Sequence, residues 1–546
     1  MTLKEIYISN RFFYLGLTIL IILVYGLSLG NGFVSDDIAE IVNKTELGSS
    51  QYIFDHISGF VRPLLYSLTL YTFGKENAFG FHLINLSFHL FSTLSLFTLI
   101  RLLYNQKIAL ISTLLTAIHP LLSETVVWVS GGSYTQYSFF FLTSFLLYLI
   151  SQKYLPISLK NSYILSLIAY FFALTSHAVM SFVFVPILII YELLFGSLQS
   201  NFKKLLPFVL LSGIFLLIIL TSIPERQTTL QSAHYQEGGV DNPFVQLPVA
   251  LSSYFQLLIF PKDLTIYHSE LAFSTPEFIV RLLLVMAFLG MVIYTFFKSR
   301  IICFWLIWFL ITLAPTLTPF RLNWIVAERY AYLPSIGLFV ALGYLLSRIK
   351  VQGSAREILL IGFIIVITLL SVRTVARVIN WKDPDTLWLS AESISPSSPN
   401  NHNNLGDLYG RRGDYERAIK EFQTAIVLKP NYADAYHNLG NTYAQIGKNQ
   451  EAMDNFMKAI EFNPNLWQSY QNIASIYFTQ KDYQKAAEYM EKVVQLIPNN
   501  PDVLNNLALV YLNLDRKTEA KEIFTGILRV DPNNQKAQAG IQEASK

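Results

Sequence analysis

The residues best suited to chemistry are Asp36 and Asp37, adjacent carboxylates in the stretch NGFVSDDIAEIVNK that follows the first long apolar run. Like charges this close raise one another's pKa, and an apolar neighbourhood adds a desolvation cost in the same direction. One of the pair is then suited to act as a base near neutral pH while the other stays ionised. A helix cap at Asp37, or a solvated pair, fits the same residues. Other ionisable groups stand out by position. Arg62 lies in QYIFDHISGFVRPLLYSLTLYTFG, an amphipathic stretch rich in aromatics, where a guanidinium suits a phosphate or an ion pair with the acidic residues. Glu124 follows the His119-Pro120 break in AIHPLLSETVVWVSGGSYTQYS and is the only acidic residue between Glu76 and Tyr191. It is a second carboxylate for a site, a metal ligand, or a solvated loop residue. His177 lies in TSHAV, and Arg321, Glu328, Arg329 and Tyr332 lie in TPFRLNWIVAERYAYLPSIG. An arginine there either snorkels or binds a lipid phosphate.

The elements that must position these groups are membrane helices. The 546 residues are 53% hydrophobic and 14% charged, with a mean hydropathy of +0.40, which fits an integral membrane protein. The first apolar run, Phe12 to Leu29, reads as a retained span, and further runs near 80–103, 108–127, 134–151, 161–176, 178–196, 206–223, 276–297, 301–318, 330–347 and 357–374 bring the total to about eleven. The stretch from Phe244 to Phe260 reads as re-entrant or interfacial. With the N-terminus cytoplasmic, the Lys/Arg-bearing loops fall on the inner side, and the odd count puts the C-terminal part on the non-cytoplasmic side. Asp36, Asp37, Arg62, Glu124 and Arg329 then share the outer rim. Charges gathered at one rim and not at mid-membrane disfavour a transporter. From Pro396 onward there are 16 Lys+Arg against 17 Asp+Glu, leaving 24 against 20 for the apolar part, and neither balance suggests nucleic acid. Cys303 is the single cysteine, which excludes a disulfide framework and a thiolate metal site. His82, Asn85 and His89 share one face of the second span, a polar stripe that must face protein.

The C-terminal region repeats. Pro396, Pro430, Pro464, Pro498 and Pro532 recur every 34 residues, in phase with Tyr409, Tyr443, Tyr477 and Tyr511 and with Ala418, Ala452, Ala486 and Ala520. That period marks tetratricopeptide repeats, paired antiparallel helices with small residues at the closest approach. The expected organisation is a membrane domain over 1–380, a linker and capping helix over 381–398, and about four repeats plus a closing helix over 399–546. Asn404, Asn438, Asn472 and Asn506 recur at one phase of each first helix, and asparagine is a poor helix former. Either the amides bond between repeats, or they form a ladder that holds an extended peptide by its backbone. In the second form it resembles the asparagine ladder of the O-GlcNAc transferases.

The order of these pieces resembles a known family. The acidic pair in SDD, RPL around Arg62, Phe81-His82 with Asn85 and His89, His119-Pro120 with Glu124, and ERYAYLPSIG from Glu328 to Gly337, followed by repeats, is similar to the transmembrane and tetratricopeptide repeat-containing O-mannosyltransferases within the GT-C glycosyltransferases. The resemblance implies an all-α fold, a polytopic GT-C helix bundle followed by an α-solenoid. It implies inverting transfer of a hexose such as mannose from a polyprenyl-phosphate carrier to Ser/Thr hydroxyls of proteins on the non-cytoplasmic side. Asp36 or Asp37 would be the base. Arg62, Arg329 and Arg321, with His177 and Tyr332, would contact the donor phosphate or its sugar, and the asparagine column would bind the acceptor polypeptide. No cofactor is required by the residues themselves; where members of this class use a divalent cation, Mg or Mn, Asp37 and Glu124 are the candidate ligands. A bacterial inner membrane is the favoured location, the endoplasmic reticulum membrane otherwise. The alternative from another class is a membrane-anchored tetratricopeptide scaffold for envelope or polysaccharide assembly, which needs no acidic pair.

Overall fold

The computed structural model describes residues 3–155, 159–232, 243–317, 325–350 and 352–545. Among the described residues every regular element is a helix. The chain divides into two compact units, one of Met1–Arg226 with Gly239–Ser395 and one built on Pro396–Lys546.

Among the described residues of the first unit seven helices are long and apolar enough to cross a membrane: Tyr7–Gly30, Ala78–Leu103, Ser162–Ser181, Leu198–Thr221, Thr275–Lys298, Glu328–Arg348 and Ser354–Asn380. The pair Gln106–Ile118 and Pro120–Val127, bent by 55° at His119, makes an eighth if counted as one span. This is a membrane protein. The count is below the expected eleven because the other three runs form shorter or more polar helices, Ser133–Ser151, Phe184–Leu194 and Arg300–Leu313. Eleven residues rise about 16 Å, roughly half of a bilayer's hydrocarbon thickness. The stretch expected to be re-entrant or interfacial is a single 17-residue helix, Pro243–Ile259.

Local chemistry starts and stops these helices. The Asn105 and Ser299 side chains accept from the Ile108 and Ile302 amides, and Ser274 with Glu277 forms a capping box ahead of the Thr275–Lys298 helix. The core between Ser133–Ser151 and Arg300–Leu313 is aromatic, with Phe145 and Phe304 stacked and Trp305 and Trp308 fully buried. Gly337 lets the Tyr332–Arg348 helix press against the Trp305 carbonyl, where any Cβ would collide. One buried carboxylate, Glu192, is satisfied by the Tyr148 and Tyr154 hydroxyls at 2.6 and 2.8 Å, Asn201 Nδ2 at 2.9 Å and the Ser197 amide at 3.1 Å. The Pro384–Glu392 helix, expected as a cap on the repeats, groups with the first unit, where Trp388 stacks on Tyr267.

The second unit is a run of helix pairs from Pro399–Arg411 to Lys517–Val530, closed by Gln535–Ala544. Ala418, Ala452, Ala486 and Ala520 are fully buried at the closest approaches. Gly406 and Gly440 lie where a Cβ would meet the rings of Phe422 and Phe456 at 2.6 and 2.7 Å. This is the tetratricopeptide solenoid that the 34-residue period predicts.

Candidate functional site

After the first helix the chain is pinned to the end of the Ser354–Asn380 helix. Asn31 Nδ2 donates to the Val378 carbonyl at 3.2 Å and the Gly32 amide to the Lys382 carbonyl at 2.8 Å. Ser35, at φ 55°, then turns the backbone so that the two neighbouring carboxylates face different ways. Asp37 is fully buried: its Oδ1 accepts from the Ser130 amide at 2.8 Å and hydroxyl at 2.5 Å, and its Oδ2 from the Val34 amide at 3.2 Å. Asp36 is exposed. Burial pushes the Asp37 carboxyl up to about 6, against the lowering effect of the Ser130 and Val34 bonds and the Arg62 charge. The main cause of the raised value is therefore desolvation, where mutual repulsion within the pair was also expected.

Arg62 sits in the first turn of the Val61–Phe73 helix, its guanidinium 5.0 Å over the Tyr66 ring and within electrostatic reach of Glu40 and Asp37. Its Nη2 is buried without a hydrogen-bond partner. The Tyr66 hydroxyl donates to the Val129 carbonyl at 3.2 Å. A buried guanidinium nitrogen with a spare donor is a site for an anionic oxygen.

The segment from Ser123 to Tyr134 ties these groups to the opposite wall. Glu124, fully buried, binds Arg329 twice, accepting from Nη1 at 2.6 Å and from its backbone amide at 3.3 Å. Trp128 lies under the Arg329 guanidinium at 5.4 Å and stacks on Trp381 at 5.9 Å. Asn85 Nδ2 donates to the Trp128 and Val129 carbonyls, and Gly132 fits against Asn85 only because it has no Cβ. Ser130 holds Asp37. Tyr134 packs edge-on against His177 at 5.0 Å and beside Tyr330 at 6.0 Å. His177 reaches that place because its own φ/ψ of −159°, 87° breaks the Ser162–Ser181 helix. Behind Arg329, the fully buried Glu328 accepts from Arg377 Nη2 at 3.1 Å and lies 3.7 Å from His268. Tyr332 is also fully buried, its hydroxyl hydrogen-bonded to His89 Nδ1 at 2.7 Å. That position places it in the packing behind the site and away from any exposed surface.

Asp36, Asp37, Arg62, Glu124, Arg329 and His177 thus all attach to one short stretch of backbone or to its direct partners. Arg321 lies outside the described residues. Asp37 and Glu124, the candidate cation ligands, are engaged by Ser130 and Arg329, and among the described residues no group of three His, Cys, Asp or Glu is placed to hold a metal. These donors do not fit a divalent ion as they stand. Sequence reasoning missed Ser130, Trp128, Glu40, His268 and Arg377. Only Trp128 carried a signal, as a lone tryptophan in a loop of Ser, Gly and Tyr.

In the repeats the asparagine column is partly spent on neighbours. Asn438 Nδ2 donates to Asn403 Oδ1 at 3.0 Å and Asn472 Nδ2 to Asn441 Oδ1 at 2.6 Å. Asn441 in turn bonds His437, and His437 bonds Ser469, so a polar network runs between repeats. Asn506 is exposed and Asn404 half-buried.

Comparison with known proteins agrees with both units. Tetratricopeptide models, described as "TPR repeat" and "Tetratricopeptide repeat", match residues 406–447, 433–466 and 477–543. The chain is similar to protein O-mannosyl-transferase TMTC3 of Homo sapiens, 26% identical over 465 residues that cover 74% of this chain and 50% of that protein. It is similar to protein O-mannosyl-transferase F38B6.6 of Caenorhabditis elegans, 24% identical over 445 residues, 75% of this chain and 62% of that one. A stretch of 115 residues, 21% of this chain, is 37% identical to protein O-mannosyl-transferase Tmtc2 of Drosophila melanogaster and covers 12% of it. The chain spans less than two thirds of the length of each of these relatives. The resemblance read from the sequence is matched by relatives that carry that name.

Proposed function

We propose that the chain is a membrane glycosyltransferase that moves a hexose such as mannose from a polyprenyl-phosphate carrier onto Ser/Thr hydroxyls of proteins on the non-cytoplasmic side, with the repeats binding the acceptor polypeptide. The names of the relatives support protein as the acceptor. One observation carries the reading: Asp37 is locked to Ser130 within electrostatic reach of the Arg62 guanidinium, whose Nη2 is a spare donor, and this leaves its neighbour Asp36 exposed.

The chemistry follows from the parts. The acceptor oxygen attacks the anomeric carbon as the bond from that carbon to the phosphate oxygen breaks, and Asp36 takes the hydroxyl proton. Negative charge grows on the departing phosphate, where Arg62 Nη2 stabilises it. Arg329, neutralised by Glu124, holds the facing wall in place. A single displacement inverts the anomeric centre. Asp37 acts as the anchor that fixes the Asp36 backbone against Ser130.

The test uses the full chain in detergent with a synthetic polyprenyl-phosphate mannose and a Ser/Thr-rich peptide, read by the hexose mass increment. Asp36→Asn is expected to lower transfer by about 10²–10⁴-fold with the unfolding midpoint unchanged. Undiminished transfer in Asp36→Asn would remove it as the base. No transfer by the unaltered chain, with peptide still bound, would favour the anchored scaffold.

A further inference from the structure

The Leu3–Tyr25 and Ala78–Leu103 helices pack antiparallel. The Tyr14 hydroxyl is hydrogen-bonded to Thr98 Oγ1 at 2.8 Å, Phe13 stacks on Phe97 at 6.2 Å, and further along Tyr25 packs edge-on against His89 at 5.0 Å. Arg11 comes three residues before Tyr14 and Arg101 three residues after Thr98, so both lie about 4.5 Å beyond that bond, towards the same end of the pair. Lys107 joins them there, in the first turn of the Gln106–Ile118 helix. From Arg11 to Tyr25 the first helix rises about 21 Å, and beyond Tyr25 the chain turns into the acidic stretch. These cations therefore stand at the opposite end of the bundle from Asp36 and Asp37.

A groove of about 430 Å³ runs between the two helices at this end, lined by Tyr7, Arg11, Leu15 and Thr18 on one side and by Leu94 and Thr98 on the other. Its hydroxyls are spent within the helices: Thr18 Oγ1 donates to the Tyr14 carbonyl and Thr98 Oγ1 to the Leu94 carbonyl, each at 2.8 Å. Past Arg11 the walls are thus effectively apolar, with exposed Leu15 at the rim. The cations are not spent. Among the described residues no carboxylate lines the groove and none forms an ion pair with Arg11 or Arg101. The Arg11 guanidinium rests 4.9 Å over the exposed Phe12 ring, and half-buried Arg101 keeps its Nε shielded from solvent with no hydrogen-bond partner. A shielded guanidinium N–H calls for an acceptor, and the chain supplies none.

We infer that this groove binds an anionic phospholipid of the bilayer, one acyl chain lying between Leu15 and Leu94 and the phosphate between Arg11 and Arg101. Guanidinium groups hold phosphate oxygens in two-pronged fashion, and an anion that carries an apolar chain satisfies both halves of the groove at once. With the N-terminus cytoplasmic, the lipid comes from the inner leaflet, whose anionic head groups are drawn to Lys/Arg clusters. The site is independent of the transferase reading. It also gives the lipid a mechanical role: the first helix exposes Phe12, Leu15, Ile19, Ile22 and Leu23, and a head group bridging Arg11 to Arg101 clamps this sparsely held helix, whose far end leads into the acidic pair.

Native mass spectrometry of the full, delipidated chain tests it, beside the unfolding midpoint in detergent. The separate probes are phosphatidylglycerol, phosphatidylcholine with the same acyl chains, undecaprenyl phosphate and inorganic phosphate. Phosphatidylglycerol is expected to be retained by the unaltered chain and to raise its midpoint. Retention should fall about 10-fold in the double variant Arg11→Gln with Arg101→Gln and in Leu15→Trp, which fills the groove from an exposed position. Should the double variant fail to fold, Arg11→Gln alone, at an exposed position, and Leu15→Trp decide. Undiminished retention in the variants overturns the proposal, as does equal retention of phosphatidylcholine, since the head-group charge would then go unread. Undecaprenyl phosphate or free phosphate retained in preference, and lost in the same variants, overturns the phospholipid as the occupant.

Discussion

The membrane unit and the repeat unit place their charges by opposite rules. In the membrane unit three carboxylates are sealed inside and paired across long stretches of chain: Glu124 with Arg329, Glu328 with Arg377, Asp37 with Ser130. In the repeats several ion pairs are exposed and only three or four residues apart, as in Asp407–Arg411, Asp414–Arg417 and Asp482–Lys485. What is buried there is alanine, glycine and phenylalanine in columns. A solenoid can take its stability from apolar repetition and leave charge to solvent, whereas a bundle that must hold a reactive site has to bring unlike charges inside.

Breaking one sealed pair tests the contrast at its strongest. Glu328→Gln leaves Arg377 buried and unpaired and is expected to cost about 3–5 kcal/mol, read as a lowered unfolding midpoint of the membrane unit in detergent, with the repeats' own unfolding unchanged. In the repeats the comparable damage comes from volume. Gly440→Leu forces a side chain into the Phe456 ring and is expected to cost about 1–3 kcal/mol, read on the repeat unit's circular dichroism.

A pH series sharpens the same difference. Asp37 is held above its ordinary value by burial, up to about 6, so the folded state keeps a proton that the unfolded chain releases. Its contribution is full below the ordinary carboxylate value and is lost as pH rises through about 6. Lowering pH from 7 to 5 should therefore stabilise the membrane unit by about 1 kcal/mol, and Asp37→Asn should flatten that slope. Smallest of all, Arg411→Ala removes an exposed pair and should change stability by under about 0.5 kcal/mol; a larger loss would show that the repeats too depend on charge.

The contrast also explains what could be read in advance. In the repeats each position is stated several times, so the columns of Tyr409, Ala418 and Gly406 announce the fold from spacing alone. The bundle states each contact once. Nothing near Ser130 marks it as the partner of a residue 93 positions earlier, and Arg377, in SVRTVARVIN at the end of an apolar run, looks like an arginine that snorkels. Asp36, Asp37, Arg62, Glu124 and Arg329 were legible because charge at the edge of a bilayer is conspicuous. Which member of the acidic pair turns inward was not, because it is decided by the single backbone turn at Ser35. Nor was the asparagine column fully legible: its spacing is equally compatible with peptide binding and with the Asn438–Asn403 and Asn472–Asn441 bonds that are found.

The Ser123–Tyr134 stretch carries a mechanical implication. It grips the acid through Ser130 and the cation through Glu124, six residues apart on one piece of main chain, so neither jaw can shift without dragging the other. Loosening the strut at Gly132 or Asn85 should misalign both together, and the double alteration Ser130→Ala with Glu124→Gln should cost less than its two halves added, because the first has already let the second drift.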